Sequence, residues 1–170
     1  LAKDRTGYAN LCRLITLAHA SGKRNHPELD PAHLGKHAAG LIALSGCPGG
    51  ELSRLAVASR LDEARELIHR YREWFGRQNY YVELQHNLVF GDVTRNQKLI
   101  ALARETDTRL VATGNTHYHD RARHRLQDCL VAIGYNANLE ETHRQRRANS
   151  EFYLRPVPEI EFLFRECPEA

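Results

Sequence analysis

Three short apolar runs constrain this chain more than anything else in it: residues 40–46 (GLIALSG), 80–84 (YYVEL) and 110–113 (LVAT). Each is divided from the next by a stretch whose apolar residues recur at helical spacing. Connections of that kind carry the chain back across the sheet, so consecutive strands run parallel rather than pairing through tight hairpins. The expected order is α, β, α, α, β, α, β, α, a short extended piece and a last α, an α/β fold with an open sheet or a barrel.

The helices can be placed from their stripes. Leu11, Leu14, Ile15 and Ala18 share one face of a helix that Ser21-Gly22 ends. Residues 25–37, with Pro27, Asp30-Pro31 and Gly35, read as a connecting loop. The 40–46 run reads as a strand buried on both faces. Pro48-Gly49-Gly50 turns the chain into a short helix over 51–58. Ser59 is expected to cap a longer helix with Leu61, Ala64, Ile68, Tyr71 and Phe75 buried and Gly76 as its stop. Asp92 or Thr94 caps a helix running to about Thr106. Leu126, Cys129, Leu130 and Ile133 make another stripe, and 158–164 reads as a final helix with proline in its first turn.

A chain of 170 residues has room for one domain or part of one. It contains no Met and begins at Leu1, and 165–170 (RECPEA) reads as a motif, so further sequence is expected on both sides. Lys and Arg number 24 against 21 acidic residues, a net charge of +3 that carries no strong nucleic-acid signature. The basic stretches 121–125 (RARHR) and 144–147 (RQRR) are read as solvated faces. Cys12, Cys47, Cys129 and Cys167 are far apart with no C-x-x-C pair, so reduced thiols and a cytoplasmic setting are expected. No apolar run approaches the length of a membrane span.

In parallel α/β folds the reactive groups gather where strands end at their C-termini. Cys47, Gln85-His86 and Asn115 to His117 occupy those positions. Asn115 and His117 are two apart, so both side chains aim the same way if the extended backbone persists. Asn brings a carbonyl oxygen but no charge, which weakens a metal clamp. Cys47 is readable as a thiolate ligand or, with more weight from spacing alone, as one more small buried residue. The glycines after it give a ligand room to approach. Glu83 and His86 form a second-rank pair. His119 and His124 read as surface residues, as do His19, His26, His33, His37, His69 and His143. The G-x-S-x-G elbow and the P-loop are missing, which disfavours serine hydrolases and nucleotide switches.

Several strings in order resemble the PHP (polymerase and histidinol phosphatase) domain of bacterial C-family DNA polymerases. They are 1–11 (LAKDRTGYANL), 40–51 (GLIALSGCPGGE), 80–85 (YYVELQ), 110–118 (LVATGNTHY), 149–154 (NSEFYL) and 159–170. Together they run across essentially the whole chain. The GNTHY string, the 124–128 string HRLQD and the terminal CPEA look closest to the error-prone branch.

The resemblance implies a partial PHP-type distorted (βα) barrel with parallel strands, lacking its N-terminal strands. Residues 1–150 would be the C-terminal part of that domain and 151–170 an exit toward the polymerase palm. It further implies that Cys47 matches the family's Cys ligand, His117 its last His ligand, and Asn115 a position usually held by Asp. The metal would be divalent Zn, Mn or Mg, with the remaining ligands on earlier strands, so the site is expected to be incomplete here. The implied parent is a DNA-directed DNA polymerase of the polymerase III alpha type. Its partners would be DNA, dNTPs, the palm and other polymerase domains, with the sliding clamp a further candidate and no membrane. The alternatives are a metal-dependent phosphoesterase, free-standing or not, and a 3′–5′ exonuclease.

Overall fold

A computed structural model of the chain describes residues 1–22 and 26–170. They form two compact units, Leu1–Glu83 with Lys98–Leu110, and Leu84–Gln97 with Val111–Ala170.

The first unit opens with α1 (Arg5–Ser21), started by Asp4, whose carboxylate accepts the Gly7 amide at 2.8 Å. Gly7, Asn10 and Leu14 form its buried face, whereas Ile15 of the expected stripe is exposed. The reason lies in segment 38–41. Gly7 sits against the Gly40 backbone so closely that a Cβ would come within 1.8 Å of the Gly40 carbonyl oxygen. Asn10 also donates to the Ala39 carbonyl at 2.9 Å. A backbone contact and a buried amide thus join Leu14 on the inner face and leave Ile15 of the stripe outside.

The stretch expected to be a loop contains a one-turn helix, α2 (Ala32–Lys36). The Asp30 carboxylate accepts the Ala32 amide at 2.9 Å, and Pro31 is set at the turn before it, which favours a helical start over an open loop. Asn25, where that expected loop begins, lies outside the described residues.

The 40–46 run yields only a two-residue strand, β1 (Ala43–Leu44), half-buried rather than covered on both faces. Gly40 and Gly46 both have positive φ and break the extended run at either end. β1 is also an edge. It pairs in parallel with β2 (Tyr80–Gln85), Ala43 opposite Tyr80 and Leu44 opposite Tyr81, and the sheet order continues to β3 (Arg109–Thr113). The middle strand β2 carries the two-sided burial, including Glu83, which the alternation had left free to face water. The result is an α/β fold with an open, partly parallel sheet.

Two helices lie between β1 and β2: α3 (Glu51–Val57) and α4 (Leu61–Phe75), the latter burying Ala64, Leu67, Ile68 and Phe75 and stopping at Gly76, φ +84°. Ser59 does not cap α4. It adopts φ +59°, and its hydroxyl accepts from the Lys98 ammonium at 3.0 Å. Leu14, Ala38, Leu41 and Phe75 form a core with Tyr71 and Trp74 packed against it. Tyr71 stacks on Tyr80 with ring centres 5.4 Å apart, joining helix to sheet.

The chain after β2 enters α5 (Asp92–Glu105). The second unit also holds a 3-10 turn (Arg121–Arg123), α6 (His124–Gly134) and α7 (Val157–Leu163), with Pro158 in the first turn as expected. Tyr118, Phe152 and Tyr153 form its small core, and Tyr118 and Tyr153 share a parallel bridge. The expected stripe of α6 is reversed. Leu126, Cys129, Leu130 and Ile133 are exposed, and the face turned inward is His124, Gln127, Asp128, Val131 and Ala132. An ion pair sets that choice, for Arg146 holds Asp128 at 3.0 Å.

Candidate functional site

Cys47 follows β1 in the first unit. It is exposed, so the reading as one more buried small residue does not hold. Its carbonyl accepts the Gly50 amide at 2.7 Å, closing the Pro48-Gly49 turn. Gly46, at φ +89°, aims the chain out of the strand before it.

Asn115 and His117 belong to the second unit, on the segment leaving β3. The strand ends at Thr113, and Asn115 takes the left-handed conformation, φ +45°. The extended backbone therefore does not persist, and alternation no longer aims both side chains the same way. Asn is one of the few side chains that tolerate this conformation, which explains how the turn is made without glycine. His117 is pinned from the other side: its amide donates to the Phe152 carbonyl at 2.7 Å, and its ring meets the Phe152 ring edge-on at 6.0 Å. His117 is exposed overall, and partial desolvation of its ring first, with the charge of Arg147 second, draws the imidazole below its ordinary pKa. A neutral imidazole is the form that binds a metal.

By donor chemistry alone, these three side chains fit a multi-cation centre poorly. Cys47, Asn115 and His117 supply one thiol, one uncharged amide and one imidazole. Among the described residues no group of three or more His, Cys, Asp or Glu side chains comes together in a way that could hold a metal ion. A multi-cation centre depends on carboxylates, and none of these three side chains is one.

What spacing alone did not reveal is the buried polar network that supports the Asn115–His117 segment. Asn87, 2% exposed, donates through its side-chain amide to the Gly114 carbonyl at 2.8 Å and the Glu151 carbonyl at 3.0 Å. Its own backbone amide donates to Asp92 at 2.8 Å, and its carbonyl accepts from Asn149 at 2.8 Å. Asp92, expected to cap α5, also accepts the Val89 amide at 3.1 Å and pairs with Arg95 at 2.8 Å. Arg95 and Asn96 both donate to the Gln85 carbonyl at the end of β2. Glu151 carries the network on, receiving Arg155 at 2.8 Å and Arg121 at 3.0 Å. The one sequence signal was density of polar residues: 85–96 and 149–155 hold Asn, Asp, Arg and Glu where the chain returns to the core.

Of the second-rank residues, His86 lies 3.6 Å from Asp92, and its Nδ1 accepts the Leu88 amide at 3.3 Å. His119 is exposed, and His124 contacts the Arg121 carbonyl at 3.0 Å at the start of α6. None of the helices is long and apolar enough to cross a membrane, among the described residues.

Comparison with known proteins gives these positions their context. The chain is 34% identical, over its whole length, to a DNA polymerase III subunit alpha of Borreliella burgdorferi, and covers 15% of that protein. It is 36% identical over 99% of its length to the same subunit of Treponema pallidum, covering 14% of it. An error-prone DNA polymerase of Symbiobacterium thermophilum is 35% identical across the full chain, which covers 17% of that relative. The chain thus spans about a seventh of the length of these curated relatives. Residues 1–87, just over half of the 170, match the PHP domain, and the chain belongs to the PHP domain family.

Proposed function

We propose that this chain is the PHP segment of a bacterial DNA polymerase III alpha-type DNA-directed DNA polymerase, where it serves as a scaffold with a degenerate metal site. The observation that carries the reading is similarity continuous over the whole chain. The likeness to alpha subunits runs through residues 88–170, beyond the stretch that matches the PHP domain itself. On this reading residues 1–150 complete the PHP fold and 151–170 lead toward the palm. Synthesis is then the work of residues elsewhere in the parent, which engages DNA, dNTPs and its other polymerase domains, with the sliding clamp a further partner. Replication is the parent's process, and a cytoplasmic setting follows from it. Likeness to an error-prone polymerase supports that branch, with repair synthesis as its role, as much as the replicative one.

Cys47, Asn115 and His117 are, on this view, remnants of a divalent-metal site for Zn, Mn or Mg. The neutral Asn115 supports the scaffold over the alternative, a PHP domain active as a metal-dependent phosphoesterase or 3′–5′ exonuclease. Family membership is what favours that alternative. Calorimetry with Zn and Mn separates the two. The expected result is weak, non-stoichiometric binding and no release of 3′ nucleotides. Tight one-to-one binding abolished by His117→Ala would overturn the scaffold reading.

A further inference from the structure

The second of the two basic stretches, which reads in the sequence as a solvated face, lines a cavity in the second unit that the first reaches only through His124. His124 from the first, and Arg144, Arg146 and Arg147 from the second, line one open cavity of about 660 Å³ with Tyr118 and His143. Its charges are unequal: three guanidinium groups face one carboxylate, that of Asp128. That carboxylate is already engaged by Arg146 at 3.0 Å, and a second Arg146 nitrogen lies 3.4 Å from the His143 ring. The Arg146 Nε is buried without a hydrogen-bond partner among the described residues.

Arg144 and Arg147 have no carboxylate partner among the described residues. Arg147 instead sits over the Phe152 ring, its guanidinium carbon 5.2 Å from the ring centre, a contact that orients the guanidinium without neutralising it. A second cavity, of about 440 Å³ in the first unit, makes the contrast. There Arg54, Arg60 and Arg70 are matched by Glu51, Glu63 and Glu66, and Arg60 is bonded to Glu63. Only the first cavity carries an excess of positive charge in a form that fits an oxyanion. The planar fork of arginine matches phosphate oxygens two at a time, and one already oriented on an aromatic ring loses less freedom on binding.

We propose that this cleft binds phosphate esters through Arg144 and Arg147, with Arg146 held by Asp128 as its wall. The phosphate would come from a nucleic-acid strand or from a nucleotide. The inference deepens the polymerase reading by giving this segment a direct contact with that parent's substrates, and only the choice of phosphate source rests on that reading.

The test uses the full protein, a fluorescent single-stranded oligonucleotide, and competition by dNTP, inorganic phosphate and a poly-glutamate peptide. Arg144→Gln with Arg147→Gln should weaken oligonucleotide or dNTP binding about tenfold. It should also lower the salt slope by roughly 1.4, two phosphate contacts at about 0.7 each for a single strand. Arg54→Gln with Arg70→Gln removes the same charge from the balanced cavity and should leave both quantities unchanged. Competition by dNTP at concentrations where phosphate fails identifies a nucleotide site. Displacement by the oligonucleotide alone identifies a strand. Equal losses from both pairs of substitutions, or poly-glutamate competing as well as the oligonucleotide, would overturn the proposal. Unchanged primer extension by the Arg144/Arg147 variant beside unchanged binding would remove the phosphate site and leave the polymerase reading standing. Circular dichroism of both variants keeps loss of fold apart from loss of binding.

Discussion

Asn87→Ala removes the single side chain that ties the Gly114 carbonyl to the Glu151 carbonyl, and with it the support of the segment bearing Asn115 and His117. Two hydrogen bonds of 2.8 and 3.0 Å are lost. Each contributes about 1 kcal/mol net, while a carbonyl left buried without a donor costs about 1–3 kcal/mol. Asn87 is 2% exposed, so the space it leaves is not open to solvent. The Glu151 carbonyl keeps the Arg155 guanidinium as a second donor at 3.1 Å, so the Gly114 carbonyl is the one left without its side-chain partner. The two bonds together with one orphaned carbonyl give a loss of about 3–5 kcal/mol. The backbone bonds of residue 87 to Asp92 and Asn149 survive the substitution, so the effect should be local. Urea unfolding measures the loss, and amide exchange locates it. The His117 and Leu154 amides, bonded to Phe152 and Tyr118, should lose protection while those of β2 keep theirs. Asn87→Asp, which aims a carboxylate at the same two carbonyls, should be worse than Ala. A loss below about 0.5 kcal/mol with unchanged exchange at His117 would refute the assignment, because it would mean the Gly114 carbonyl finds another donor.

Arg147→Ala should raise the His117 pKa only part of the way to the ordinary imidazole value, because burial is the larger cause and stays in place; an NMR titration that finds no movement would refute the coupling. Since the folded imidazole titrates below the unfolded one, the unfolded chain binds the proton first on acidification. Stability should therefore fall as pH drops through the range between the two values and recover above the unfolded one, with a shallower fall for Arg147→Ala. Gly7→Ala should destabilise by about 1–3 kcal/mol in thermal or urea unfolding despite the better helix former, since overpacking against backbone outweighs a propensity gain of about 1 kcal/mol. A stabilised Gly7→Ala protein would show that the Gly40 segment is free to move aside.

The order of elements was legible because it depends on periodicity alone: the stripe of α4, the aromatic run of β2 and the stop at Gly76 are each repeated or marked in the sequence. The two misplaced faces differ in degree. In α1 only Ile15 of the stripe is exposed, while Leu14 stays in the core beside Asn10, bonded to Ala39. In α6 the whole stripe faces outward and Asp128, bonded to Arg146, lies on the inner side. A hydrophobic stripe predicts burial only where apolar packing decides the orientation. Likewise, 40–46 has the composition of a buried strand, but whether both faces are covered depends on its place in the sheet, and β1 is an edge. The candidate site was legible as residue types at strand ends. Its geometry was not, because the turn at Asn115 and the Asn87 network depend on residues far apart in the chain.

The backbone at Asn115 bears directly on what its side chain means. A left-handed φ of +45° favours Gly, Asn or Asp, and Asp accepts it with little more strain than Asn. The fold therefore gives no reason for an amide in place of a carboxylate at this position. The consequence of the amide is electrostatic instead. A carboxylate two residues from His117 would favour the imidazolium and would add negative charge for a cation, whereas the amide leaves partial desolvation and the Arg147 guanidinium to draw the imidazole pKa down. An environment of that kind, beside an arginine-rich cleft, is the setting that the proposed phosphate site requires.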